Sequence, residues 1–86
     1  MSYAVRVGGR ARRELLKLPD ELIARIDAQI SLLSENPRPV GCKKLKSTSP
    51  QGWRIRVGDY RILYHVDDAR HIVTIYRVSH RRDVYR

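Results

Sequence analysis

The sequence is poor in the residues that most plainly announce a chemistry. It has one cysteine, Cys42. No internal disulfide can form, and no CxxC or paired Cys/His spacing suggests zinc. No apolar run approaches the ~18 residues of a membrane span, and Met1 to Gly9 holds no apolar stretch long enough for a secretory signal. The reducing cytoplasm, with no membrane and no disulfide partner, is therefore the expected setting. His65, His71 and His80 fall singly on or beside expected strands, without ligand spacing, so no metal and no other cofactor is expected. No repeat, low-complexity tract or linker divides the chain. Acidic residues are scarce: nine Asp and Glu stand against 18 Lys and Arg, a net charge of +9. On so short a chain that excess makes a strong positive field and points to polyanionic partners.

What is present is ordinary globular material. Apolar residues make up 42% and charged residues 31% of 86. A chain of this size buries only about 60–65% of its unfolded surface, enough for one core and one site, so residues 1–86 are expected to form a single domain. The charge is uneven. Residues 1–40 carry a net +2 and residues 41–86 a net +7, so the positive field belongs mostly to the second half.

Periodicity assigns the elements. Tyr3, Val5 and Val7 alternate with Ala4 and Arg6 as a short strand, which Gly8-Gly9 breaks. Ala11, Leu15 and Leu18 recur at helical spacing. After Pro19, Asp20-Glu21 open a second helix with the acidic charge a helix N-terminus favours. Leu22, Ile26, Ile30 and Leu33 form its apolar stripe, and Asn36-Pro37-Arg38-Pro39 ends it. The period then changes to two. Trp53, Ile55 and Val57 alternate with Arg54 and Arg56, Gly58-Asp59 turns the chain, and Arg61 to Val66 and Ile72 to Val78 follow as strands. The expected order is β-α-α-β-β-β, an α+β fold with an antiparallel sheet packed on a helical hairpin. Gly41 to Gly52 reads as a polar, basic loop.

Arg54 and Arg56 are two apart, so they share the face opposite Trp53, Ile55 and Val57. Arg61 shares its face with Leu63 and His65, whereas Ile62, Tyr64 and Val66 form the more apolar set. With the apolar sets on the helices, all three arginines belong to the open face, where an anion would relieve their mutual repulsion. The terminal run Ser79-His80-Arg81-Arg82-Asp83-Val84-Tyr85-Arg86 adds an imidazole able to titrate near neutral pH and a phenol able to stack on an unpaired base.

Three stretches, Trp53-Arg54-Ile55-Arg56-Val57, Asp59-Tyr60-Arg61-Ile62-Leu63-Tyr64 and Val78-Ser79-His80-Arg81-Arg82-Asp83-Val84-Tyr85, resemble the RelE/ParE toxin superfamily, and its RelE branch most. Leu15-Leu16-Lys17-Leu18-Pro19 and Asn36-Pro37 fit as well. The resemblance implies a microbial-ribonuclease-like fold. It also implies a type II toxin that acts as a ribosome-dependent, metal-independent mRNA endoribonuclease, held inactive by a cognate RelB-like antitoxin. Its partners would be the ribosome and mRNA. Carried over by position, the catalytic residues are Arg61, Arg81 and Tyr85, joined by His80 as in relatives with a histidine in the terminal run, and two RNA-binding residues are Arg54 and Arg56; Lys43, Lys44 and Lys46 of the basic loop are further RNA-binding candidates. RelE enzymes have lysines where Arg54 and Arg56 stand here. Arginine does not give up its proton, so these two are expected to clamp phosphate, with proton transfer left to His80 or Tyr85. Two other functions fit the same residues: a ParE-like inhibitor of DNA gyrase that cuts nothing, and a non-catalytic RNA-binding module.

Overall fold

The computed structural model describes residues 2–46, 48 and 50–80. The elements are β1 (Ala4–Val7), α1 (Gly9–Leu16), α2 (Asp20–Glu35), β2 (Lys43–Lys44), β3 (Gly52–Val57), β4 (Tyr60–Asp67) and β5 (Ile72–His80). They form one five-stranded sheet in the order β1-β5-β4-β3-β2, with the helices on one face. The α+β layering and the helical stripe are as the sequence implies. Ile26, Ile30 and Leu33 of α2 and Ala11 and Leu15 of α1 meet Ile55, Val57, Ile62, Tyr64, Val73, Ile75 and Val78 in the core. Leu22 and Ile23 widen the seam. Neither helix has a side-chain N-cap, but Asp20 and Glu21 lie in the first turn of α2, where their charge complements the exposed amides. The carbonyl of Pro19 accepts from the amides of Leu22 and Ile23.

The structure corrects the expected sheet in two respects. It is mixed rather than antiparallel, because β1 runs parallel to β5. Alternation in Tyr3 to Val7 shows which side chains share a face, not which edge the strand joins. Docking β1 beside β5 makes a crossover that carries both helices over one face. Within the helical layer, α1 packs chiefly on β5 and α2 reaches β1 and β3. The second correction is an added edge strand. Lys43 pairs with Arg54 and Lys44 with Trp53, inside the stretch expected to be a loop. Two lysines have no periodicity to read. Contacts at the far end hold this hairpin: the Leu45 amide donates to the Gly52 carbonyl (2.9 Å), the Gly52 amide to Thr48 Oγ1 (2.7 Å), and Gln51 Nε2 to the carbonyls of Leu45 and Gly52.

A bulge in β5 decides which side chains reach the open face. Leu63 pairs with Arg77 but Tyr64 pairs with Ile75, so Tyr76 is the extra residue. Strict alternation from Val73 and Ile75 would send Arg77 into the core. The bulge instead brings Val78 inside and leaves Arg77 and Ser79 facing outward.

At one end of the molecule three segments are tied together. Arg38, after α2, grips Asp68 through Nη2–Oδ2 (2.7 Å) and Nη1–Oδ1 (3.2 Å). The Tyr3 hydroxyl donates to Asp68 Oδ1 (2.7 Å), and the Arg38 guanidinium lies 5.0 Å from the Trp53 ring centroid. The buried Tyr64 hydroxyl donates to the Pro37 carbonyl (2.7 Å), and burial pushes that phenol up from its ordinary value. The hydrogen bonds from Arg38 and Tyr3 hold the Asp68 carboxyl down, from its ordinary 3.8 to about 2. A depressed carboxyl stabilises the fold above its unfolded value and loses that contribution as protonation begins. In urea titrations, the advantage of the wild type over Asp68→Asn should therefore be constant above pH about 4 and close as pH falls toward 2. A gap that stays open down to pH 2 would refute this role for Asp68.

Candidate nucleic-acid interface

The open face is built by the β3–β4 hairpin. Its two-residue turn has Gly58 at φ 58°, with no positive φ at Asp59, as a II′ turn requires. A side chain at Gly58 would be strained there. The turn sets Val57 against Tyr60, so Arg56 falls directly opposite Arg61, and Arg61 is opposite Ser79 of β5. That is the first row of the face. The second row runs across four strands as Lys43, Arg54, Leu63 and Arg77. The third is Gly52, His65 and Thr74, with the Tyr76 ring stacked on His65 at 4.3 Å and 12°. Gly52 leaves room for this approach: a β-carbon there would stand 2.8 Å from the Tyr76 hydroxyl oxygen, so the end of that ring would have to shift.

The sequence-derived residues separate in this frame. Arg54, Arg56 and Arg61 share the face away from the helices, as expected. They are graded in burial: Arg56 is exposed, Arg54 part-buried, and Arg61 only 3% exposed. Arg54 Nε is enclosed and has no hydrogen-bond partner among the described residues. Directly opposed like charges are unfavourable, so the Arg56–Arg61 pair is an arrangement that an anion stabilises. Lys43 joins Arg54 on this face. Lys44 pairs with Trp53 and so belongs to the other face, and Lys46 is exposed beyond the strand. His80 also faces the other way. It lies opposite Tyr60, edge-on to that ring at 5.2 Å and 88°, one residue past Ser79. Arg81 and Tyr85 lie outside the described residues.

Sequence reasoning missed the support beneath the first row. Glu14 of α1 reaches the part of β5 that extends beyond β1. Its carboxylate accepts from Arg77 Nε (3.0 and 3.3 Å) and from the Val78 amide (2.8 Å). Arg77 Nη2 in turn donates to Ser79 Oγ (2.8 Å). The available signal was compositional: Glu14 is the lone acid among Arg10, Arg12, Arg13 and Lys17. Burial raises the Tyr76 phenol, against the influence of Arg77. Among the described residues, no group of three or more His, Cys, Asp or Glu is placed to hold a metal ion, and no helix is long and apolar enough to cross a membrane.

Comparison with known proteins extends beyond the fold. Residues 5–85 match the family described as ParE toxin of the type II toxin-antitoxin system. The toxin RelG of Mycobacterium tuberculosis is 41% identical over 87 residues, which span 100% of this chain and 99% of that protein. The RelBE2 toxin–antitoxin complex of the same organism contains a chain with a TM-score of 0.82 and 36% identity, covering 93% of this chain and 99% of its own. The archaeal RelE–RelB complex from Pyrococcus horikoshii gives a TM-score of 0.83 at 27% identity, covering 94% and 97%. A basic sheet face on this fold, matched almost from end to end, places the chain in the RelE/ParE family: it is a toxin of a type II toxin–antitoxin system.

Proposed function

We propose that this toxin is an mRNA endoribonuclease that works on the ribosome. The observation that carries the reading is the first row of the open face, in which Arg56 and Arg61 stand side by side on adjacent strands with Ser79 beyond them. Such a row suits a phosphodiester at its most anionic, when attack has made it pentavalent. The substrate's own 2′-OH attacks the adjacent phosphorus, the bond to the 5′-oxygen breaks, and the products are a 2′,3′-cyclic phosphate and a 5′-OH. One proton leaves the 2′-oxygen and one reaches the departing 5′-oxygen. Arg61 and Arg81 are assigned to the charge of the transition state, and Arg54, Arg56 and Lys43 to gripping the strand. Lys44 and Lys46 would meet RNA only beyond this face. Tyr85 and His80 are the candidates for proton transfer. His80 stands against Tyr60 on the helix side, so the larger share is assigned to Tyr85. DNA has no 2′-OH and should not be cut.

The likeness to RelE–RelB complexes supports a RelB-like antitoxin as the partner in the cell. For a surface this basic, the antitoxin segment that meets it should be acidic, and its binding should weaken with added salt. The deciding experiment is a translating extract with a defined mRNA. Cuts within ribosome-bound codons are expected, and the same mRNA without ribosomes should be cut far less. Because the matching family carries the ParE name, the same preparation is assayed against DNA gyrase. Intact mRNA together with blocked supercoiling would replace this reading with the gyrase one.

A further inference from the structure

The basic surface does not stop at the edge of the open face. Among the described residues, strand β2 covers β3 only at Trp53 and Arg54, so β3 has a free edge there from Ile55 onward. Between that edge and α2 lies a groove of about 280 Å³, lined by Arg25, Ala28, Gln29, Arg56, Val57 and Gly58. Arg25, Ala28 and Gln29 are at i, i+3 and i+4, one side of α2, and the small Ala28 leaves room between the other two. The Arg25 guanidinium lies over the hairpin turn, where a β-carbon on Gly58 would stand 3.7 Å from both Nη1 and Nη2.

Three features give this groove its chemistry. Among the described residues, its lining has two guanidiniums and no carboxylate. Neither Arg25 nor Arg56 has an ion-pair or hydrogen-bond partner among the described residues. The free edge adds backbone polarity. The Gly52 carbonyl accepts from Leu45 on the β2 side. By the alternation of an antiparallel ladder, Arg54 and Arg56 present their amides on that same side, and at Arg56 no strand among the described residues covers it. Two guanidiniums, a side-chain amide and an open backbone N–H converge where only Ala28 and Val57 offer apolar contact. An oxyanion suits that set. A peptide would find little apolar surface to anchor it.

We propose that Arg25, with Arg56 and its backbone amide, holds a phosphate of the RNA strand next to the one on the open face. The strand then turns round the free edge of β3, and Arg56 serves both positions. This rests on the reading that the open face carries RNA.

The test is the salt dependence of binding of a uridine decamer to the full chain. For a single strand, each phosphate contact contributes about 0.7 to the slope of log K against log salt. Arg25→Gln should lower the slope by about 0.7 with an unchanged melting temperature, because Arg25 is exposed on α2. Arg70→Gln, in the β4–β5 turn at the far end of the sheet, should leave the slope as it is. An unchanged slope in Arg25→Gln, or no binding of the decamer by the wild type, overturns the proposal. So does an Arg25→Gln effect confined to antitoxin affinity, which would assign the groove to a protein partner. Cleavage on ribosomes is read separately. Uncut mRNA alongside the expected slope change would sink the endonuclease reading and leave the phosphate site standing.

Discussion

Arg61→Ala should reduce cleavage of ribosome-bound mRNA by about 10²–10³-fold, the usual cost of removing one preorganised donor from a developing charge. The reason lies in position and burial together. Arg61 is central in the first row, between Arg56 and Ser79, and is 3% exposed. A guanidinium held in so enclosed a place acts through a lower effective dielectric than one in water and needs little reorganisation as charge develops. Arg61→Lys should recover only part of the activity, since an ammonium lacks the planar fork that meets two phosphate oxygens at once. His80→Gln should cost less than about tenfold, below the ordinary range of about 10²–10⁴ for a general acid or base, because its ring faces Tyr60 on the helix side. The measurement is single-turnover cleavage on programmed ribosomes, with each variant's melting temperature taken alongside. If Arg61→Ala cuts at the wild-type rate, or His80→Gln falls further than Arg61→Ala, the assignment of roles is wrong.

Glu14→Ala should lower stability by about 2–3 kcal/mol, the range for hydrogen bonds made to a charged group together with a donor left unsatisfied. Glu14 and Arg77 have side chains 23% and 26% exposed, so solvent screens the pair only partly. The carboxylate also answers the Val78 amide on a stretch of β5 that β1 does not reach. Glu14→Gln keeps an acceptor for that amide and should lose about half as much. Urea midpoints give the stabilities, and a double-mutant cycle with Arg77→Ala should show coupling between the two side chains, as contacting residues do. Since Arg77 also bonds Ser79, Glu14→Ala should lower cleavage at temperatures where the protein remains folded. A stability loss below about 0.5 kcal/mol, the size of an ordinary surface change, would mean that the carboxylate is not the clasp between α1 and β5.

Much of the open face could be read from alternation alone. Arg54 and Arg56 are separated by Ile55, and Arg61 and Leu63 by Ile62. Once the apolar partners had to face a core, the arginines had nowhere else to point. The two-residue Gly58-Asp59 turn then fixed which arginine met which. Other parts of the site left no such trace. The resemblance places His80 with Arg61 in the catalytic set, yet a single step of strand period puts it on the reverse face, opposite Tyr60 rather than beside Arg61. Lys43 and Lys44 look equivalent in the sequence and are divided between the faces by their pairing with Arg54 and Trp53.

The chain's own order of residues determined the helices, the β3–β4 hairpin and the face on which its three arginines lie, because those features depend on neighbours within a few positions. Folding alone decided the parallel docking of β1, the edge pairing of β2, the bulge at Tyr76, the reach of Glu14 across 64 residues to Val78, and the meeting of Arg25 with Arg56 at an uncovered edge. Each of these joins groups that are distant in sequence. What selects them is the burial and hydrogen bonding of the assembled layers, which no local pattern records.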